Sequence, residues 1–432
     1  MAKNTKKDYR NQILYSVYVR NYSAEGTFEA LRRDLERIKG LGADMIWLLP
    51  IHPVGAKARK GSLGSPYAIS DYRAVNPEFG TLEDFRRLVD QIHRLGMRCI
   101  IDVVYNHTSP DSWLAEHHPE WFYRRPDGSL GNRVGDWSDV ADLDYSHPEL
   151  WDYQIDTLKY WASMVDGFRC DVASLVPLEF WLRARAEVEA VRPGCFWLCE
   201  SVEPGFVSGA RAEGIPALSD SELFQAFDAG YEYDVFSCFQ QYLEGTLPLS
   251  AYAAALSRQE TIYPDNYVKL RYLENHDQLR AAFVIPDETA LLNWTAFLYF
   301  QKGMTLLYAG QEQSCAHLPS LFDRDPVDWS SGPDRAEQLR RLAALKRNPL
   351  LTDSAYQVRA LAGDILYAVH RSGERQLTGV FSLKGACAPV AVDAPDGRYE
   401  NLADGSGVEV KFGRIRCQGR PIIFESLRTE RR

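Results

Sequence analysis

The strongest constraint on this chain is an alternation that runs through residue 308: short apolar, often β-branched runs separated by segments with helical spacing. The first run spans 13–19. A helical pattern follows from Thr27, with Phe28, Leu31, Leu35 and Ile38 on one face, and ends near Gly40. A second run spans 45–50. A second helix starts at Thr81, with Phe85, Leu88, Val89 and Ile92 on one face and Gly96 past its last turn. Residues 97–105 read as a strand apolar on both faces, as in a sheet covered by helices. Further strands are expected at 167–172, 196–199, 224–227, 268–273 and 304–308, and further helices at 149–164, 178–191 and 289–301. Eight strands interleaved with helices predict an α/β chain folded as a (β/α)8 TIM barrel. An open doubly wound sheet is the competitor, and eight repeats over this length favour the barrel.

Two segments break the alternation. Residues 110–147 follow the third strand without a clear period, yet carry Trp113, Trp121, Phe122, Tyr123 and Trp137. They read as a short insertion on a βα loop. Past 350 the texture turns to β alternation with turn signals, such as Ala394-Pro395-Asp396-Gly397. The expected organisation is therefore a barrel of 9–109 and 148–350, an inserted loop domain of 110–147, and an antiparallel, sandwich-like β domain of 351–428.

Composition limits the function. The 432 residues are 45% hydrophobic and 25% charged, which argues against disorder, and the formal net charge of −10 disfavours a nucleic-acid groove. No apolar run approaches the ~20 residues of a membrane span. The first ten residues are basic with no apolar stretch behind them, so no secretory signal is read there. The eight cysteines include no C-x-x-C pair and several lie in apolar runs, which suits reduced core thiols. A cytoplasmic, membrane-free protein is expected.

In a barrel, chemistry gathers where the strands end. The third strand ends in Asp102-Val103-Val104-Tyr105-Asn106-His107, the fourth in Arg169-Cys170-Asp171-Val172, the fifth in Cys199-Glu200, and the seventh in Glu274-Asn275-His276-Asp277. Three carboxylates (Asp171, Glu200, Asp277), one arginine and two histidines thus face one rim. Clustered carboxylates repel and cost stability, so a purely structural role for them is strained. Metal-ligand spacings such as H-x-x-x-H are absent from these motifs, as are G-x-S-x-G and the Gly-rich phosphate loops. Paired carboxylates with no other catalytic apparatus point to glycosyl transfer.

These stretches, DVVYNH, GFRCD, the strand-end Glu200 and ENHD, resemble the four conserved stretches of the α-amylase family, glycoside hydrolase family 13, in the family's order. The resemblance extends to residues 64–72, to Gly310-Gln311-Glu312 and to the C-terminal β domain, and points to a small bacterial-type member. It implies Asp171 as nucleophile, Glu200 as general acid/base and Asp277 as the carboxylate that holds the distorted ring. Arg169 would keep Asp171 ionised. His107 and His276 would bind sugar hydroxyls, and Tyr67 would stack on the sugar. Asp102 would orient its neighbours.

The implied activity is a retaining α-glucan hydrolase acting on the α-1,4 bonds of maltodextrins by double displacement, with α-glucan oligosaccharides as partners. Alternatives with the same site are a 4-α-glucanotransferase, an α-glucosidase or an α-1,6-acting member; a non-catalytic carbohydrate-binding relative is a remote one. Residues 140–144, VADLD, resemble a form found in α-1,4-acting members, whereas Val172 after the nucleophile is common in α-1,6-acting ones. Val172-Ala173-Ser174-Leu175 departs from the Ala-Ala-Lys-His of many α-amylases, and no Asp-rich loop follows the first strand. Those departures speak against the family's calcium sites, although Asn106 stands where calcium can be held. No cofactor and no metal is the expectation.

Overall fold

A computed structural model describes residues 2, 4–135 and 137–428; Met1 and Lys3 of the basic start, and Asp136 of the expected insertion, lie outside the described residues. Eight parallel strands close into a barrel: β1 (Ile13–Val17), β2 (Met45–Leu48), β3 (Arg98–Val103), β4 (Gly167–Cys170), β5 (Phe196–Cys199), β6 (Ala229–Tyr231), β7 (Lys269–Arg271) and β8 (Met304–Tyr308). β1 closes the ring against β8, with Ile13 opposite Thr305. Nearly every strand residue is buried, which is why these segments read as continuous apolar runs.

The sixth strand is not where the hydrophobic pattern places it. Phe224–Phe227 forms a turn that continues a short helix, Asp220–Leu223, and the strand begins at Ala229. Ala-Gly has little β propensity, so the strand is invisible to pattern reading. Packing selects it: a Cβ on Gly230 would lie 3.1 Å from Cys199 Sγ and 3.2 Å from the Phe224 ring.

The helices that follow the strands are α1 (Phe28–Gly40), α2 (Leu82–Arg94), α3 (Pro148–Ala162), α4 (Leu178–Val191), α5 (Pro204–Ala212), α6 (Tyr233–Leu243), α7 (Leu249–Ile262), α8 (Glu288–Phe300) and α9 (Ala336–Lys346). Thr81 and Asp84 cap α2 reciprocally, each side chain meeting the other's backbone N–H, as the position of Thr81 before the apolar stripe implies. Residues 110–147 fold back on the end of β3. His107–Thr108 pairs antiparallel with Ala141–Asp142, and Trp113 stacks between His117 (4.3 Å) and Tyr153 (5.6 Å).

Beyond the barrel, β9 (Ala355–Leu361), β10 (Ile365–Ser372), β11 (Arg375–Ser382) and β12 (Ile422–Leu427) form an antiparallel sheet, accompanied by two two-stranded sheets. The sheet packs on α8: Phe381 meets Phe297 and Phe300 at 5.2 and 5.4 Å, and Asn293 Oδ1 accepts from Ser382 N at 2.8 Å. All eight cysteines are free and six are buried; Cys387 is exposed rather than in a core. Among the described residues no helix is long and apolar enough to cross a membrane.

Candidate active site

The site is assembled from strand ends. Asp102 on β3 lies opposite Arg169 on β4, and side chains two residues apart on a strand share a face, so Arg169 and Asp171 point together. Gly167, at the start of β4, is required by close approach: a Cβ there would sit 2.3 Å from the Phe196 carbonyl oxygen.

Arg169, fully buried, is the hub. Its Nη1 donates to Asp102 Oδ1 (2.9 Å) and to Asp171 Oδ1 (2.8 Å), and its Nε to Tyr231 Oη (3.3 Å). Its Nη2 lies 2.8 Å from Glu200 Oε1 as an ion-pair contact, without the alignment of a hydrogen bond. The Trp47 ring packs against the guanidinium, 5.2 Å from its centroid. One cation therefore serves three buried carboxylates, and each receives only part of its charge.

That sharing decides the protonation of the site. Burial pushes Asp171 up to about 6, opposed by the charge of Arg169 and reinforced by Asp102. Arg169 thus opposes the effect of burial on Asp171 without cancelling it. Burial pushes Glu200 further, to about 7, with Arg169 opposing and Asp171 and Asp277 adding repulsion. Asp102, equally buried, is raised to about 6. Asp277 differs. Its side chain is 37% exposed to the cleft, and although the surrounding protein desolvates it, the facing His276 and then Arg169 bring it below the ordinary value.

The remaining expected residues complete the same cluster. His276 Nε2 is 3.0 Å from Asp277 Oδ2 and 2.6 Å from Tyr67 Oη, and Tyr67 Oη donates to Asp102 Oδ2 at 3.1 Å. Tyr67 stacks on His276 at 5.6 Å, so one ring face is covered. His107 is buried, which lowers it to about 4 and leaves it neutral; Asn106 Nδ2 donates to its Nδ1 at 3.1 Å. The proton then sits on Nε2, 3.8 Å from Asp171 Oδ2, where it can donate into the cleft.

All seven residues expected from the sequence thus lie together. A cleft of about 280 Å3 is lined by Tyr67, His107, Asp171, Glu200 and Asp277, with Arg169 and His276 in contact behind them. Sequence reasoning missed the other wall: Lys60, Trp137, Asp139 and Phe322. It also missed a backbone device. Val172 adopts φ 38°, a left-handed conformation costly for a β-branched residue, and its N–H donates to Glu200 Oε2 at 2.8 Å.

Around Asn106 the polar side chains engage one another. Asn106 Nδ2 donates to His107 Nδ1, while the Asp142 carboxylate accepts from Arg133 N (2.7 Å) and Asn132 Nδ2 (3.3 Å). The Arg133 guanidinium donates to the Leu143 carbonyl at 2.9 Å, placing a protein cation beside that carboxylate. Among the described residues no group of three or more His, Cys, Asp or Glu side chains is placed to hold a metal.

Known proteins match this architecture. Residues 4–128 match the α-amylase catalytic domain and residues 357–424 the bacterial α-amylase C-terminal domain. The crystal structure of an α-amylase from Lactobacillus plantarum superposes with a TM-score of 0.95 at 48% identity, over 97% of this chain and 100% of that one. A noncanonic maltogenic α-amylase, AmyB from Thermotoga neapolitana, follows at TM-score 0.86 and 33% identity, over 98% and 100% of the two chains. The α-amylase MalA of Haloarcula japonica is 27% identical over 408 residues, covering 90% of this chain but 57% of MalA, so the chain spans little more than half of that relative.

Proposed function

The chain belongs to the α-amylase family, and from that premise we propose that it is a retaining α-glucan hydrolase that cleaves the α-1,4 bonds of maltodextrins. The observation that carries this reading is the pair Asp171 and Glu200 on neighbouring nitrogens of one guanidinium, each 2.8 Å away. Two carboxylates held so close suit the ~5–5.5 Å spacing of a retaining mechanism, whereas an inverting one needs room for water between them.

Each group has a task its environment favours. Asp171, ionised above about 6, attacks the anomeric carbon as the glycosidic C–O bond breaks. Glu200, protonated below about 7, gives its proton to the departing oxygen. Water then attacks the covalent glycosyl ester, Glu200 takes back a proton, and Asp171 leaves as carboxylate. Asp277 and the neutral His107 bind ring hydroxyls, and the charges behind them stabilise the oxocarbenium-like transition state. No step requires a metal, and we assign none.

The test separates the two central carboxylates. Glu200→Ala should still be glycosylated by α-glucosyl fluoride, whose leaving group needs no proton, and azide should speed turnover and give the α-glycosyl azide. Asp171→Ala should give no retained product with the same donor. Azide rescue of Asp171→Ala with retention, and none of Glu200→Ala, would overturn the assignment.

A further inference from the structure

We propose that an ion pair, Lys60 with Asp139, walls off the side of the cleft that receives the non-reducing end of the glucan, so that the enzyme acts from chain ends and releases short units. The proposal rests on the α-glucan reading above. Lys60 Nζ lies 3.0 Å from Asp139 Oδ1, joining the loop after β2 to the segment inserted after β3, and both residues line the cleft. Asp139 is buried and the Lys60 side chain is 36% exposed, so the pair stands at the cleft's rim with its carboxylate anchored inside the wall.

The closed side can be identified from the chemistry. Glu200 protonates the leaving oxygen, so the departing part of the substrate lies towards β5. Tyr67 shares the loop after β2 with Lys60, and His107, just before the insertion that carries Asp139, lies 3.8 Å from Asp171; on the α-glucan reading both meet the sugar that Asp171 attacks, which is the glycone. Trp137 packs against His107 with ring centroids 5.4 Å apart, and Phe322 from the loop after β8 completes this wall. Both walls meet in the cleft of about 280 Å3 that also holds Asp171 and Glu200.

The wall is held rigidly. The N–H groups of Leu63 and Gly64 donate to the Phe322 carbonyl at 2.9 and 3.1 Å, and Ser62 N donates to Asp323 Oδ1 at 2.8 Å. At its other end the loop is pinned by Ala56 N and Lys57 N, both 2.9 Å from Asp111 Oδ2. Gly61 (φ 63°) lets the loop lie flat on Phe322, where a Cβ would come within 2.5 Å of the Phe322 Cβ. Fixed geometry of this kind discriminates substrates by exclusion, because a longer glycone has nowhere to extend.

The experiment uses nitrophenyl maltoheptaoside with its non-reducing end either free or capped as the 4,6-ethylidene acetal, with products resolved by chromatography. The native enzyme should cleave the free substrate at least tenfold faster than the capped one and release glycone fragments of one or two glucosyl units. Lys60→Met and Asp139→Asn should each narrow that ratio about tenfold and lengthen the fragments. The exchanged pair, Lys60→Asp with Asp139→Lys, should restore the native pattern, which loss of folding would not mimic. Equal native rates on the two substrates, or unchanged fragment lengths in both single variants, would overturn the proposal. If neither substrate is cleaved, the α-glucan reading itself fails and the wall loses its meaning with it.

Discussion

Two buried arginines on barrel strands show how one residue type serves opposite ends. Arg271 on β7 meets one carboxylate, Glu232, at 2.8 Å, and spends its other donors on Gln259 Oε1 (2.8 Å) and the Lys302 carbonyl (2.9 Å). Glu232 in turn accepts from Tyr272 N at 2.9 Å. Charge and hydrogen bonds balance, and neither group lines the catalytic cleft. Arg169 on β4 faces three carboxylates with a fourth nearby, and that cluster opens onto the cleft. A balanced buried pair stabilises a fold or is neutral to it; an unbalanced one that opens onto a cleft is poised for chemistry.

Removing each cation is the strongest way to break this comparison. Arg169→Met should lower kcat/KM by about 1,000-fold or more, since it strips the charge that orients and ionises Asp171. Arg271→Met should destabilise by about 3–5 kcal/mol, yet leave the kcat of the folded fraction within about threefold. Similar kinetic losses in both variants would abolish the distinction.

The next effect is read in pH. kcat/KM should follow a bell, rising as Asp171 ionises near 6 and falling as Glu200 ionises near 7, with both limbs belonging to the coupled cluster. Stability carries the opposite signature to a salt-bridged carboxylate. Glu200 binds its proton more tightly folded than unfolded, so its favourable contribution is complete below about 4.5 and is lost as the pH rises through about 7. Glu200→Gln should therefore stabilise the protein by about 1–3 kcal/mol at pH 8 and by almost nothing at pH 4, measured by denaturant unfolding. An equal shift at both pH values would show that the raised pKa is not the cause.

A smaller effect extends the comparison to the inserted segment, where the Asp142 carboxylate accepts hydrogen bonds from Asn132 and Arg133. Exhaustive EDTA treatment should move Tm by less than about 1 °C and leave activity intact, because a bound ion of useful affinity would contribute several kcal/mol. A loss restored by calcium would show a metal where we assign none. The smallest effect concerns Val172. Val172→Gly removes a half-buried side chain but relieves the left-handed strain, so the net change should stay within about 1 kcal/mol. A loss above about 2 kcal/mol would mean that the backbone there is not strained.

What could be read from residues alone follows the same division. Asp171, Glu200 and Asp277 were legible because barrel strands announce themselves by apolar runs, and a carboxylate that ends such a run stands at the catalytic rim. Lys60 and Asp139 were not: they sit in irregular loops nearly 80 positions apart, and only the folded chain makes them partners. The conformation of Val172 is imposed by tertiary packing against local preference, which no pattern records. β6 escaped because its Ala-Gly core is selected by the lack of space beside Cys199 and Phe224, not by propensity. The division of Arg169 among three acceptors is a matter of distance, so its partial effect on Asp171 needed coordinates.

The seam where β1 meets β8 has a consequence for biogenesis. Ile13 leaves the ribosome long before its partner Thr305, so one edge of β1 stays unpaired while most of the barrel is synthesised. Such an edge is a template for wrong partners, and a contact of this sequence separation forms late because its loop entropy must be met first. The last strand to arrive thus acts as the latch of the whole ring, and partly made chains depend on being shielded from one another until it does.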